Sequence, residues 1–337
     1  MNYRTLGATD IQTSVIGFGA WAIGGWMWGG TEESTAIDAL HAALDAGVNL
    51  IDTAPIYGFG RSEEIVGKAI KGKRDQVVLA TKCGLRWDRS DWPDGKGSLH
   101  FYSDERSIVQ DKSDAMRVYK YLHPDSIREE VELSLRRLGT DFIDLLQTHW
   151  QDPTTALEDS VGMLLRLKEE GKIRAIGCSN ATAEQIRAYR KIGPLDVDQE
   201  KLSLLDREVF QNGVMDACRE GGVNFLAYSP LANGLLTGKL SSDQAFKPGD
   251  LRGVRPRFTP ENIDGVNARL ERIKPIADAY GLNIGQLVIA WTAAKYDKMH
   301  VLCGMRTPDQ ARENARAGHV VLKDRDVTEI EQVFDAK

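Results

Sequence analysis

A carboxylate and a phenol stand close together in the stretch NLIDTAPIYGFG, which covers residues 49–60. An apolar run ends there at Asp52, and Tyr57 follows five residues later in a loop rich in proline and glycine. Both side chains can exchange protons, so the pair is a candidate for acid–base chemistry. The alternative is a turn in which Asp52 caps backbone amides and Tyr57 packs on the surface.

Other short apolar runs of the chain also end in polar side chains. These residues are Lys82, His149, Ser179 with Asn180, Gln199 and Tyr228. Several have an ordinary structural explanation: Lys82 as a rim lysine with its ammonium in solvent, His149 as a hydrogen-bonded core histidine, and Asn180 as a helix cap. Whether they act together depends on the elements that carry them.

Short β-branched runs alternate with amphipathic stretches along most of the chain. The predicted strands are Val15–Phe18, Asn49–Asp52, Val77–Lys82, Ile143–Thr148, Ala175–Cys178, Leu195–Gln199, Val223–Tyr228 and His300–Cys303. Between them, TEESTAIDALHAALDAG, SIREEVELSLRRLG and ALEDSVGMLLRLKEEG repeat apolar residues at intervals of three and four, which predicts helices. These helices are expected to close on Gly47, Gly139 and Gly171 as C-terminal caps.

Continuous apolar strands joined by helices imply a parallel sheet buried on both faces. Eight of them favour a closed barrel over an open doubly wound sheet, so we predict a single (β/α)8 TIM barrel domain spanning residues 1–337. The carboxyl ends of all its strands would then meet at one mouth and bring the polar residues together. Because an unpaired buried Asp or Lys costs several kcal/mol, this convergence favours a functional site over unrelated coincidences.

Two intervals between the predicted strands carry long insertions. Residues 84–122 are polar and lack a helical period, and residues 229–265 contain NGLLTGKLSSDQAFKPGDLRGVRPRF. Both follow strand ends, so we expect long active-site loops at the carboxyl-terminal mouth. In the second loop the basic residues are close together, either on a solvated loop or as a phosphate clamp. They are Lys247, Arg252, Arg255 and Arg257.

A glycine-rich stretch near the start of the chain resembles a nucleotide-binding turn. GFGAWA, residues 17–22, matches the pattern G-x-G-x-x-A and follows a predicted strand. The helix that such a turn should open does not begin there, because the tryptophan-rich loop IGGWMWGG intervenes. We therefore interpret these glycines as a strand-end turn close to a ligand and not as a Rossmann phosphate turn.

Charge and cysteine content argue against several classes of protein. A formal net charge of −6 over 337 residues disfavours broad nucleic-acid binding and attraction to anionic membranes. The chain opens without a signal-peptide pattern and has no run near the roughly 20 apolar residues of a membrane span, so we expect a cytoplasmic protein. The four cysteines are far apart and form no Cys-x-x-Cys pair, which suggests neither a zinc site nor a disulfide framework. We expect no bound metal.

Several motifs together resemble those of the aldo-keto reductase superfamily. They are NLIDTAPIYG, LATKCGL, DLLQTHW, AIGCSN, AYSPLANGLLTGK and GMRTPDQARENARA, and the resemblance runs from about residue 3 to residue 334. In detail they are most similar to the bacterial general-stress and inositol-operon-associated branch. The resemblance implies a (β/α)8 barrel that binds NADPH without a Rossmann fold and reduces aldehydes or ketones. It does not name the carbonyl substrate, because residues 84–122 lie where members of the family differ most.

The resemblance places the family's catalytic tetrad on Asp52, Tyr57, Lys82 and His149. Hydride transfer to a carbonyl carbon leaves an alkoxide, which Tyr57 is expected to protonate. Because a free tyrosine has a pKa of about 10, we expect the Lys82 ammonium to lower the pKa of Tyr57 and Asp52 to anchor Lys82 as an ion pair. His149 is expected to orient the carbonyl oxygen towards Tyr57 by hydrogen bonding.

The resemblance also implies cofactor-binding residues along the same mouth. Ser179, Asn180 and Gln199 are expected to hydrogen-bond the carboxamide, and Tyr228 to stack on the nicotinamide. The other residues implied for NADPH binding, besides Asp52, are Ala20, Trp21, Ser229, Pro230, Leu231, Ala232, Asn233, Lys239, Arg252, Gly304, Met305, Arg306, Gln310, Glu313 and Asn314.

Within this set, separate groups suit separate parts of the cofactor. The backbone amides of residues 229–233, with nearby cations, suit the pyrophosphate. Arg306 stands at the start of a predicted helix, which suits the 2′-phosphate. Gln310, Glu313 and Asn314 share one face of that helix and are expected to contact the adenosine.

Tryptophans concentrate in loops and just beyond strand ends. The predicted substrate pocket consists of Trp21, Trp26, Trp28, Trp87 and Trp150 together with Tyr57 and His149. An aromatic-walled pocket for a carbonyl compound is one interpretation of this cluster, and plain packing is the other.

Two other functions remain open at the level of the sequence. Lys82 could form a Schiff base with a carbonyl substrate, as in aldolases, although a lysine paired with Asp52 is a poor nucleophile. The second is a noncatalytic, cofactor-sensing subunit on the same fold, as in potassium-channel β subunits. The chain contains no evident partner segment, which argues against this function. The sequence does not indicate an oligomeric state.

Overall fold

The computed structural model describes residues 1–87, 96–103 and 116–335. Its strands are β1 (Tyr3–Thr5), β2 (Gln12–Ser14), β3 (Ile16–Gly19), β4 (Leu50–Asp52), β5 (Val78–Cys83), β6 (Leu85–Trp87), β7 (Ser98–Tyr102), β8 (Arg117–Lys120), β9 (Ile143–Thr148), β10 (Ile173–Ser179), β11 (Val197–Lys201), β12 (Asn224–Tyr228) and β13 (Met299–Gly304). Eight of them form a closed barrel of parallel strands in the order β3-β4-β5-β9-β10-β11-β12-β13. The predicted (β/α)8 TIM barrel is confirmed.

Helices follow the barrel strands and cover their outer faces. They are α1 (Glu33–Asp45), α2 (Arg61–Ile70), α3 (Pro124–Leu138), α4 (Leu157–Glu169), α5 (Ala183–Ile192), α6 (Val214–Gly221), α7 (Pro260–Ala279), α8 (Ile284–Ala294), α9 (Pro308–Ala315) and α10 (Asp324–Asp335). Local sequence explains several ends: Gly139 ends α3 with a left-handed φ of 64°, and Thr182 begins α5 with a reciprocal capping box to Gln185. Each barrel strand begins and ends within two residues of its prediction.

Two small antiparallel sheets add to the barrel. The hairpin of β1 and β2 contributes Leu6 and Ile11 to the apolar cluster inside the barrel, where both are buried. The second sheet, in the order β6-β8-β7, lies in the insertion after β5. Neither sheet was expected from the sequence. Residues 88–95 and 104–115 of the same insertion lie outside the described part of the chain.

The insertion after β12 contains three 3-10 turns, at Ala232–Thr237, Leu251–Val254 and Pro256–Phe258. The predicted loop of residues 229–265 ends earlier than expected, because α7 begins at Pro260. Thr259 caps that helix by accepting a hydrogen bond from the backbone N–H of Asn262. None of the helices in the described ranges is long and apolar enough to serve as a transmembrane span.

Candidate active site

A cavity of about 470 Å³ opens at the carboxyl ends of the barrel strands. Its walls come from strand ends and from the two insertions. The predicted site residues that line it are Trp21, Trp26, Trp28, Asp52, Tyr57, His149, Trp150, Ser179, Asn180, Gln199, Tyr228, Ser229, Pro230, Leu231, Asn233, Lys239, Arg252, Gly304, Arg306, Gln310, Glu313 and Asn314. The barrel thus brings together side chains that lie as far apart as residues 21 and 314 of the sequence.

A buried ion pair forms the floor of the cavity. The Lys82 ammonium donates to both carboxylate oxygens of Asp52, at 2.9 and 2.7 Å, and to the carbonyl of Thr53 at 2.9 Å. Three acceptors therefore take up the three protons that an ammonium can donate. Lys82 is 1% exposed, so it is not the solvent-exposed rim lysine of the alternative interpretation. Burial lowers the pKa of Lys82, and Asp52 opposes that shift.

Tyr57 lies beside this pair in the loop between β4 and α2. Its ring centroid is 5.0 Å from the Lys82 ammonium nitrogen. Burial raises the pKa of Tyr57 well above its usual value, and the Asp52 carboxylate raises it further. The net direction is opposite to the expected lowering of this pKa by Lys82, because burial and the Asp52 carboxylate both act to raise it. Tyr57 consequently keeps its proton at neutral pH.

His149 follows β9 and faces Tyr57 at the wall of the cavity. The two ring centroids are 5.8 Å apart with an interplanar angle of 85°. The backbone N–H of His149 donates to the carbonyl of Cys83 at 2.9 Å, which fixes the end of β9 against the end of β5. The phenol therefore reaches the cavity from the loop after β4 and the imidazole from the end of β9, with β5 between the two strands.

Amide and hydroxyl side chains form a hydrogen-bond network beside the tetrad. Asn180 donates to the His149 carbonyl and to the Ser179 hydroxyl, both at 3.0 Å, and accepts from the Tyr228 hydroxyl at 2.9 Å. The side-chain amide of Gln199 donates to Asp52 at 2.8 Å. This wall carries both donors and acceptors, which is the chemistry that a carboxamide requires.

The turn after β12 has a backbone suited to an anion. Ser229, Ala232, Asn233 and Gly234 have φ values of 58°, 47°, 58° and 96°, all in the left-handed region. Successive left-handed residues can form an anion-binding nest. In this turn the N–H groups of Ala232 and Gly234 donate to the carbonyls of Ser229 and Leu231, both at 2.9 Å, so pyrophosphate binding by the segment stays a prediction.

Charged residues at the far end of the cavity are already paired with one another. Lys239 contacts Glu313 at 2.7 Å, and Arg252 contacts Asp250 at 2.7 Å. Arg306 donates to the carbonyl of Gly30 at 2.6 Å. The pKa of Arg306 is lowered by burial and by repulsion from Arg252. An anion bound between the two guanidinium groups would relieve that repulsion.

The opposite end of the cavity is aromatic. Trp26 stacks on Phe101 with centroids 6.0 Å apart and contacts Phe59 at 5.0 Å. Trp21 lies 6.3 Å from Tyr57 and 5.3 Å from Trp28. A mainly apolar pocket thus adjoins Tyr57.

A family model described as the aldo/keto reductase family matches residues 15–335. The chain belongs to this family. It is 42% identical to the NADH-specific methylglyoxal reductase of Escherichia coli over 98% of both chains. It is 33% identical to an aldo-keto reductase of Schizosaccharomyces pombe named with NADP(+), over 95% of this chain and 88% of that one. Among solved structures, the glycerol dehydrogenase AKR11B4 of Gluconobacter oxydans is 35% identical with a TM-score of 0.83, over 98% of this chain and 94% of that one.

Some predicted residues of this aldo/keto reductase do not reach the cavity. Ala20, Ala232 and Met305 are fully buried behind its wall, and Lys82 lies beneath the floor. Trp87 packs against Phe59 at 5.7 Å and does not line the cavity in the described part of the chain.

Other lining residues were missed by sequence reasoning. Leu85 and Phe101 belong to the sheet in the insertion after β5, and Thr237 and Gly285 line the cavity from other elements. Gln147 lies behind the wall and donates to Asp52 at 3.2 Å. A usable signal existed for Gln147 alone, since it is a polar residue inside the apolar run IDLLQT.

Proposed function

We propose that the protein reduces aldehydes or ketones to alcohols with NADPH, using Tyr57 as proton donor. The observation that carries the proposal is the placement of Tyr57 and His149 on the cavity wall above the buried Asp52–Lys82 pair. When bound, the reduced nicotinamide supplies a hydride to the carbonyl carbon. The chain's own residues then have to hold the carbonyl and deliver one proton.

In the proposed reaction the roles of phenol and imidazole differ. Tyr57 gives its hydroxyl proton to the oxygen that becomes an alkoxide. Its raised pKa keeps this proton in place until the oxygen becomes basic. His149 hydrogen-bonds the carbonyl oxygen and orients it, and the Asp52–Lys82 pair keeps a fixed charge distribution beneath the reacting atoms. Reprotonation of Tyr57 from solvent completes the cycle.

The residues of the cavity suit a nicotinamide dinucleotide along its length. The amide wall at Asn180 and Gln199 fits the carboxamide, and the left-handed turn after β12 fits the pyrophosphate. Arg306, with Arg252 near it, fits the additional phosphate of NADPH. The E. coli relative is named for NADH, so NADH is the competing assignment for this end of the site.

The geometry disfavours the Schiff-base alternative. The Lys82 nitrogen carries three hydrogen bonds and its side chain does not line the cavity. A lysine held in its charged form by Asp52 has no lone pair for attack on a carbonyl. A noncatalytic, cofactor-sensing subunit would need the same cavity, and turnover distinguishes it from a reductase.

The proposal is tested by mutation of the proton donor. Tyr57→Phe is expected to lower kcat for carbonyl reduction by at least about 10²-fold, because it removes the general acid. Cofactor affinity should change little, since the phenyl ring stays in place. The measurement is the decrease in absorbance as the reduced nicotinamide is consumed, over a panel of aldehydes and ketones. Tyr280→Phe is the control, because it removes a hydroxyl that is bonded to Asp326 far from the cavity. A Tyr57→Phe enzyme that retains most of its turnover would refute the role of Tyr57.

A further inference from the structure

Asn180 lies on the cavity wall in the turn between β10 and α5 and has an unusual backbone conformation. Asn180 has a φ of 55°, in the left-handed region that few residue types adopt readily. Its side chain ties together three parts of the wall: the carbonyl of His149, the hydroxyl of Ser179 and the hydroxyl of Tyr228. The position of Asn180 therefore sets the relative positions of the groups on either side of it.

The carboxylate of Glu200, on the next strand β11, accepts hydrogen bonds from the backbone of this turn. The Oε1 atom of Glu200 accepts the backbone N–H of Ala181 at 2.7 Å. The N–H of Asn180 donates to the Gln199 carbonyl at 3.2 Å and also interacts with the Glu200 carboxylate. Two consecutive amides of the turn are thus directed at β11. Hydrogen bonds from backbone amides to a carboxylate are among the stronger hydrogen bonds in proteins.

A second carboxyl group lies beside Glu200. Asp198 is completely buried and stands two residues before Glu200 on β11, so both side chains lie on the same face of that strand. The thiols of Cys178 and Cys218 lie 3.3 and 3.7 Å from the two oxygens of Asp198. Strand β11 and its neighbours therefore enclose a polar cluster outside the barrel wall. In the described residues it is no metal site, because no group of three or more His, Cys, Asp or Glu residues is arranged to hold an ion.

We propose that Glu200, backed by Asp198, is a positioning residue for the nicotinamide end of the site. It fixes the turn at Asn180 and Ala181 so that Asn180 can hold Tyr228 and the main chain of His149 in register with the cofactor ring. The inference rests on the proposed function, since it takes the nicotinamide ring to lie against this wall. It adds residues that do not touch the ring and act through Asn180.

The position of the cluster explains why its effect should be confined to one end of the cavity. The adenosine and phosphate end is built from other elements, namely the turn after β12 and the start of α9. In the described part of the chain, Glu200 and Asp198 bond instead to Ala181 and to the thiols of Cys178 and Cys218. Loosening the turn should therefore disturb the nicotinamide ring and leave the remainder of the dinucleotide unaffected.

The test compares a complete dinucleotide with a fragment that lacks the ring. Binding of NADPH and of 2′-phospho-ADP-ribose is measured by titration calorimetry on the full chain. Glu200→Ala is expected to weaken NADPH on the order of tenfold, the loss of one charge-assisted hydrogen bond, and to change affinity for the fragment by less than about twofold. Glu200→Gln should bind both ligands like the wild type. The introduced amide oxygen can still accept from Ala181, and its NH2 can donate to Asp198.

Two further variants make the result decisive. A second, more open cleft is lined by Glu200 and Glu184 together with Asn212. Glu184→Ala removes an exposed carboxylate from this cleft and should leave both affinities unchanged. Glu200→Asp keeps the charge but withdraws the oxygen from Ala181, so it should reproduce the selective loss if the alanine variant does not fold. Equal losses for NADPH and the fragment, or no loss for either, would overturn the inference. A wild-type protein that binds NADPH without turning over carbonyl compounds would refute the proposed function alone.

Discussion

At the scale of single residues, the buried Asp52 carboxylate acts on both Lys82 and Tyr57. Asp52 compensates the positive charge of Lys82 through two hydrogen bonds, and the negative charge of Asp52 raises the pKa of Tyr57. Asp52 also accepts from Gln147 and Gln199. Its replacement therefore changes both an ion pair and the acidity of the proposed proton donor.

Asp52→Asn is expected to move the alkaline limb of the pH profile for carbonyl reduction to lower pH. Removing the carboxylate removes one of the two causes that raise the pKa of Tyr57, and it leaves the Lys82 charge uncompensated. Tyr57 would then lose its proton at a lower pH, and kcat/KM would fall earlier as pH rises. Asp144→Asn is the matched control, because Asp144 is equally buried and pairs with Arg74 away from the cavity. An unshifted limb would contradict the coupling.

Arg306→Ala tests the choice between NADPH and NADH. A charge-assisted contact to the 2′-phosphate is worth about 1.5–3 kcal/mol, so the variant should lose on the order of ten- to a hundredfold in NADPH affinity and little in NADH affinity. Fluorescence titration of both cofactors with the wild type and the variant gives the ratio directly. Rising salt should weaken NADPH more than NADH. Equal losses would mean that Arg306 contacts a part that both cofactors share, which would refute its role at the 2′-phosphate.

At the scale of elements, two loops hold Tyr57 by direct backbone contact. A methyl group at Gly24, in the loop after β3, would lie 2.7 Å from the carbonyl oxygen of Tyr57. A methyl group at Gly58 would lie 2.3 Å from the carbonyl oxygen of Gly24. The loop that carries the tryptophans is therefore packed main chain to main chain against the turn that carries the phenol.

Gly24→Ala should accordingly displace Tyr57 without altering any side chain of the tetrad. A shift of about 1 Å at a catalytic group can cost about 10²-fold in rate, so we expect a loss of that order in kcat. Gly162→Ala is the control, because Gly162 lies in α4 with no atom within 4 Å of the added methyl group, and alanine favours a helix. Normal turnover in the Gly24 variant would show that the loop adapts to the added methyl group.

Strands were easier to predict than the additions to the barrel. Buried parallel strands appear as continuous apolar runs whatever lies around them, which is why all eight were found within two residues. The sheet formed by β6, β7 and β8 has short strands with mixed polarity, and its burial depends on residues such as Phe101 meeting Trp26 from a distant loop. Such contacts have no signature in a local pattern.

Some side-chain partners at the site could also not be predicted from local sequence. The ion pair of Lys82 with Asp52 was expected from the family resemblance, but the Thr53 carbonyl as a third partner of the ammonium was not. Lys239 and Glu313 are separated by 74 residues in sequence and form an ion pair across the cavity mouth. The predicted tetrad did not depend on these details, because it was assigned from the family resemblance of the motifs that contain Asp52, Tyr57, Lys82 and His149.

At the scale of the whole molecule, the amino-terminal end of the barrel contains a buried histidine with a neutral ring. His300 accepts from the Asn224 side chain at 3.0 Å and faces the Ser14 carbonyl at 3.1 Å. Burial lowers the pKa of His300 to about 4. Ser14 lies in the hairpin formed by β1 and β2, so this contact joins the chain's first residues to its last barrel strand.

This histidine should make the fold sensitive to acid. Its pKa of about 4 in the folded protein lies below the usual value of 6.5. The neutral ring therefore contributes up to about 3 kcal/mol to the free energy of unfolding. This contribution is complete above about pH 6.5 and is lost as the pH falls through about 4. Urea unfolding at neutral pH and near pH 5 measures the difference. His300→Gln should reduce the dependence on pH over this range, and a variant with the same dependence as the wild type would contradict the assignment.

The sheet formed by β6, β7 and β8 supplies part of the cavity wall from outside the barrel. It contributes Leu85 and Phe101 to the aromatic end of the cavity, yet it lies outside the closed ring of strands that carries Asp52, Lys82 and His149. Exchanging side chains on this appended sheet changes the shape presented to a substrate without touching a strand of the barrel. Under the proposed function, side chains that shape the substrate end and side chains that deliver the proton thus lie on different sheets, so one set can be mutated without replacing a member of the other.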